Sequence, residues 1–201
     1  EETGYLRCEI ERRLNRRLRV TGKIVSSTDN APAPNGNVVS GNFYTAKPYK
    51  VVHGIDYKCS GMPNQLHTEQ IKKVHAKNDV VLLTTVGTTG LGDPVNTNGD
   101  HLAAYVAASL GAHKLVYFSR DNMYLRNKVT KEHLQDVKLS FTQSLVDYHD
   151  VQIHDAGFAS FDNAREGLDP SAVEMLLHLG WSNWALQNGN VRKAHIVSFS
   201  D

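Results

Sequence analysis

Between Asp79 and Phe118 the chain reads DVVLLTTV, then GDHLAAYVAASLG, then KLVYF. Two apolar runs thus flank a segment with helical spacing, and this order constrains the fold more than any other feature. Strands that follow one another in this way pair in parallel, and parallel pairing needs a crossover, which a helix supplies. Strands apolar at nearly every position are buried on both faces, as in a sheet covered by helices. Gly111 marks the C-terminal stop of the intervening helix.

The flanking segments extend this pattern. The opening EETGYLRCEIERRLNRRL puts Leu6, Ile10, Leu14 and Leu18 at intervals of four on an otherwise charged helix, an amphipathic arrangement. The sequence begins inside that helix and without an initiating Met, which predicts a fragment. STDNAPAPNGN (27–37) is a loop by its prolines, asparagines and glycine. VVSGNFYTAKP and KVVHGIDYK have the β-branched and aromatic content of strands or a hairpin beside the main sheet. TEQIKKVHAK spaces Ile71 and Val74 for a short helix that Thr68 can cap. Residues 119–169 carry helical patches such as KEHLQDVKLSFTQSLVDY and read as a peripheral insertion. Pro170 opens a last helix, SAVEMLLHLGWSNWALQNG, which stops at an Asn/Gly end before the final strand AHIVSFS. The expected architecture is a doubly wound α/β domain spanning 1–201.

Charge and cysteine usage exclude several functions. Twenty-two Lys and Arg against twenty-one Asp and Glu give a net charge of +1, too little for a broad field that steers nucleic acid or an acidic membrane surface. No run is long and apolar enough to span a bilayer. Cys8 and Cys59 show no CxxC or Cys/His spacing, so the expectation is two reduced thiols in an intracellular compartment and no metal. The ten histidines form no HExxH pattern, and no GxSxG, GxxxxGK[ST] or GxGxxG motif occurs.

Ligands of parallel α/β sheets bind beyond the strand ends, where loops enter helices. Here the strand ending at Val86 delivers GTTGLGDPVNTNGD, with four glycines for close backbone approach and short polar side chains at Asn96, Asn98 and Asp100. A small polar metabolite with a carboxylate and an amide suits such a loop. Equally, Asn98 and Asp100 can serve as helix caps, and the glycines as turns. Lys114 opens KLVYF, and His195 falls at one end of the last strand.

VVSGNFYTAKP, GIDYKCSG, the long run from Asp79 to Phe118 and RKAHIVSFSD resemble, in order and spacing, the amino-acid-kinase-like domain of N-acetylglutamate synthase. The related N-acetylglutamate kinase matches less well. The resemblance implies a three-layer α/β/α sandwich with a mainly parallel sheet, the amino-acid kinase (carbamate kinase-like) fold. It also implies a substrate-like pocket at Gly87, Asn96 and Asp100, and an arginine pocket at Lys114, His195 and Ser198. No catalytic residue is expected. The kinase's phosphate-binding lysine would lie upstream of Glu1, Ser119, Arg120 and Met123 replace its nucleotide motif, and His178 stands at its late catalytic lysine. Phosphoryl transfer needs such cations.

The resemblance therefore implies a regulatory domain that takes L-arginine and no cofactor of its own. It would belong to a homo-oligomeric enzyme that moves acetyl from acetyl-CoA to L-glutamate. An N-acetylglutamate kinase and a silent oligomerisation domain are the alternatives.

Overall fold

A computed structural model describes residues 2–29, 36–119, 130, 132, 151–153, 159–161 and 170–198. Chain packing divides into two compact units, Glu1–Leu102 and Ala103–Asp201. Among the described residues no helix is long and apolar enough to cross a membrane. Of the 119–169 stretch, the described part comprises Ser119, two isolated residues and the antiparallel strand pair β10 (Val151–Ile153) and β11 (Ala159–Phe161).

The first unit opens on α1 (Glu2–Asp29). This helix meets β1 (Val38–Ser40) through polar groups: the Asn15 amide accepts from the Val38 N–H at 2.7 Å and donates to the Val38 carbonyl at 3.0 Å, and the Ser40 hydroxyl donates to Glu11. One side chain thus completes a backbone donor and acceptor at the strand, as a neighbouring strand would. The apolar stripe lies elsewhere, with Leu6, Ile10 and Leu14 exposed.

β1 pairs in parallel with β6 (Val80–Leu82), and α2 (Thr68–His75) lies in the connection between them. α2 buries Ile71, as its spacing predicted, but Thr68 is its first residue and not its cap. His67 occupies the cap position without a side-chain bond, and its N–H donates to the Phe43 carbonyl at 2.8 Å.

Four strands, β2 (Tyr44–Pro48), β5 (Ser60–Leu66), β7 (Val86–Thr88) and β8 (Pro94–Thr97), close a small barrel. Between β2 and β5, the hairpin β3 (Val51–Val52) and β4 (Ile55–Asp56) turns through His53 and Gly54, both at positive φ. That is the requirement of the tight hairpin turn whose twist matches its strands.

The apolar run DVVLLTTV is not one strand. It divides into β6 and β7, because the chain leaves one sheet at Leu82 and joins the barrel at Val86. The carbonyls of Thr84 and Thr85, in the gap, are taken by the side chains of Tyr44 and Thr97.

α3 (Gly99–Leu110) ends as its glycine predicted. Gly111 sits at φ +62°, its N–H bonds the Ala108 carbonyl, and the Ala112 N–H bonds that of Ala107. These two bonds satisfy carbonyls the helix end would otherwise leave open.

In the second unit β9 (Lys114–Ser119) and β12 (Lys193–Ser198) pair in parallel, with α4 (Pro170–Asn188) in the connection. Leu115 and Tyr117 of β9 pack with Trp181 and Ala185 of α4, with Ala104 and Ala107 of α3, and with Val191. Gly189 lets the end of α4 approach α3: a Cβ there would lie 2.5 Å from the Ala108 Cα. β9 departs from expectation, since its residues alternate. Leu115, Tyr117 and Ser119 are buried, while Val116 and Phe118 are 44% and 58% exposed. The fold is α/β, with mixed strand pairings added to the parallel crossovers.

Trp181→Ala should cost about 3–5 kcal/mol by opening a cavity in this cluster. Gly111→Ala should cost about 1–2 kcal/mol, because alanine resists the left-handed backbone. Urea midpoints of the two variants against the parent check both values.

Candidate functional site

The candidate residues fall into two groups, one in each unit. Gly87, Asn96 and Asp100 lie in the first, on β7, β8 and the first turn of α3. Lys114, His195 and Ser198 lie in the second, on β9 and β12.

The barrel holding Gly87 and Asn96 is built around Tyr44. This ring is buried, its hydroxyl donates to the Thr84 carbonyl at 2.9 Å, and it lies 3.1 Å from the Thr97 hydroxyl. Thr97 in turn donates to the Thr85 carbonyl at 2.9 Å. Burial raises the pKa of the Tyr44 hydroxyl, against the opposing effect of its bond to Thr97.

Gly87 makes room for that ring. A Cβ at this position would stand 2.6 and 2.8 Å from ring atoms of Tyr44 and 3.0 Å from the Ala46 Cβ. The space a side chain would take at this position holds an aromatic ring. Asn96 is the partner of both Ser60 and Val86, donates its N–H to the Cys59 carbonyl at 2.7 Å, and keeps its side chain exposed.

The glycine-rich segment GTTGLGDP runs from β7 through a hairpin loop at residues 89–93 into β8, and is not the mouth of a helix. Thr89 and Asp93 close it: the Thr89 N–H bonds the Asp93 carbonyl at 2.8 Å, and the Thr89 hydroxyl accepts from the N–H groups of Leu91 and Asp93. Gly92 supplies the positive φ of this turn, and Leu91 is exposed at its tip.

At the entry to α3, Asn98 is the cap. Its side-chain oxygen accepts from the His101 N–H at 2.9 Å, and its carbonyl accepts from the Leu102 N–H. Asp100 follows in the first turn, half-buried, where a carboxylate meets the positive end of the helix dipole. His101 is half-buried beside it, and burial lowers its pKa to about 4.

On β9 and β12 the register decides which residues can act together. Lys114 faces Lys193, Val116 faces His195, and Ser119 faces Ser198. Side chains alternate between faces, so Lys114 and His195 share the exposed face, whereas Ser198 points to the opposite one. Lys193 joins Lys114 and His195, which sequence reasoning missed. The available signal was the pair of basic dipeptides, His113–Lys114 and Arg192–Lys193, that open the two strands. Among the described residues no group of three His, Cys, Asp or Glu is placed to hold a metal ion.

Gly87→Ala should destabilise the unliganded protein by about 1–3 kcal/mol through overpacking against Tyr44, measured as a fall in urea midpoint with no ligand present. The His101 imidazole stays neutral in the fold below its unfolded value of 6.5. As pH falls from there towards about 4, the unfolded chain takes up a proton that the fold refuses, and stability drops. His101→Gln should remove that part of the decline, seen as a flatter melting-temperature profile across this window.

Known proteins resemble this arrangement over most of its length. The amino-acid acetyltransferase of Aeromonas salmonicida is 26% identical over 186 residues, which make up 90% of this chain and 37% of the relative. That of Aliivibrio fischeri is 33% identical over 113 residues, 55% of this chain and 25% of the relative. Among solved structures, N-acetylglutamate synthase from Neisseria gonorrhoeae complexed with coenzyme A and L-arginine matches with a TM-score of 0.62 and 26% identity. The match covers 85% of this chain and 34% of that one. The chain therefore spans between a quarter and two fifths of the proteins it resembles. Residues 36–178 match the amino acid kinase family, well over half of the sequence, and the chain belongs to that family.

Proposed function

We propose that this chain is the arginine-sensing, kinase-like part of an N-acetylglutamate synthase, a larger enzyme that transfers acetyl from acetyl-CoA to L-glutamate. The observation that carries the reading is the likeness, over 85% of the chain, to a synthase complexed with coenzyme A and L-arginine. The common exposed face of Lys114 and His195 supports a metabolite contact there. Lys114 would meet the arginine carboxylate, since a guanidinium beside it would be repelled. Ser198, on the other face, acts from a different side of the sheet if it contributes.

His178 speaks against phosphoryl transfer. It stands where the kinase's late lysine aligns, yet it is buried and stacks on Tyr117 with ring centroids 4.5 Å apart. A group packed in this way supports the fold and is not presented to a nucleotide. Of the other departures from the kinase pattern, Ser119 is buried at the end of β9, and Arg120 and Met123 lie outside the described residues.

Assembly into a homo-oligomer gains support from α1. Its apolar stripe is exposed while its contact with β1 is polar, so the stripe is available to a second copy.

Melting in the presence of arginine tests the first reading. Ligand at about a hundred times its Kd should stabilise by roughly 2.7 kcal/mol, which raises the midpoint of a chain this size by several degrees at about 2–4 °C per kcal/mol. A shift with ATP and magnesium but none with arginine would overturn it. Light scattering of Ile10→Asp against the parent tests the second, with a lower mass expected for the variant.

A further inference from the structure

The exposed face of β9 and β12 presents three cross-strand rows: Lys114 with Lys193, Val116 with His195, and Phe118 with Val197. Adjacent strands lie about 4.8 Å apart, so the first row sets two lysines side by side. Like charges directly opposed across a sheet repel and weaken it. His113 and Arg192 immediately precede the row, and the Arg192 N–H donates to the His113 carbonyl at 3.4 Å.

Neither strand carries an acidic residue. The sequence has no Asp or Glu between Asp100 and Asp121, nor between Glu174 and Asp201. Arg12, Arg13 and Lys72 form ion pairs, all in the first unit.

We infer that this face binds a short-chain dicarboxylate and that Lys193 is one of its anchoring residues. One carboxylate bridges the Lys114 and Lys193 ammonium groups and relieves their repulsion. The second lies one row along, about 7 Å up the strand at two residues of 3.3 Å each, where the His195 imidazole donates to it. The methylene chain between them passes over Val116, the apolar partner in that row. Charge-assisted bonds of this kind are the stronger hydrogen bonds available to a surface site. The inference rests on reading this face as a metabolite site, and it adds an acidic ligand that competes with arginine for Lys114.

Glutarate is the probe. Melting curves of the full chain with glutarate, with arginine and with sodium chloride at matched ionic strength would be compared for the parent, Lys193→Met, Lys193→Arg and Lys73→Met, the last a remote surface control. Glutarate should raise the midpoint of the parent and of Lys73→Met above the salt control. Lys193→Met should melt higher without ligand, because the repulsion is gone. It should also bind glutarate about tenfold more weakly, the loss of one charge-assisted bond, while Lys193→Arg retains the response. A glutarate shift no larger than that of salt, or one unchanged in Lys193→Met, overturns the inference. Response to arginine alone leaves the arginine reading standing without it, response to glutarate alone does the reverse, and response to neither removes both.

Discussion

The parallel pairing of β9 with β12 is the constraint on which the second unit depends. Because Lys114 is opposite Lys193 and Ser119 opposite Ser198, every residue of both strands is assigned to one of two faces. Leu115 and Tyr117 go to the face that α4 covers with Trp181 and Ala185. Lys114, Val116 and Phe118 go to the face left exposed. A slip of one residue in either strand would move its whole set of side chains to the wrong side. The hydrophobic cluster and the cationic row are therefore two consequences of one register.

In the first unit the corresponding element is Tyr44. Its ring fills the barrel against Gly87, and its hydroxyl, with Thr97, takes the carbonyls of Thr84 and Thr85 where the chain passes from one sheet to the next. The Thr84 carbonyl would otherwise lose this partner in a half-buried segment, at a cost comparable to a lost hydrogen bond, whereas the Thr85 carbonyl also accepts from the Thr97 N–H at 2.7 Å. The absence of a side chain at Gly87 and the break in DVVLLTTV are thus connected through one aromatic residue.

Much of this was legible in advance. The helix stop at Gly111, the short helix that buries Ile71 and the start of α4 at Pro170 follow from local signals, whereas the parallel pairing expected across α3, between DVVLLTTV and KLVYF, is not formed: among the described strands β6 pairs with β1, and β9 with β12. The candidate loop was less so. Its glycines carry the same sequence signal whether they admit a ligand, fit a hairpin tip as Gly92 does, or admit a neighbouring ring as Gly87 does. Asn98 is a cap in the structure, one of the two roles its position allowed. The apolar content of KLVYF suggested burial on both sides, but Val116 and Phe118 are exposed, because covering a second face requires another element packed against it.

The sequence by itself determined the α/β class, the helices α2, α3 and α4, and the basic residues that open β9 and β12. These rest on periodicity, propensity and punctuation, which act over a few residues along the chain. Only the tertiary structure decided that Lys193 stands beside Lys114, that Ser198 points away from His195, and that Gly87 belongs to Tyr44. Those are relations between segments distant in sequence, fixed by strand register and side-chain packing, and no local pattern encodes them.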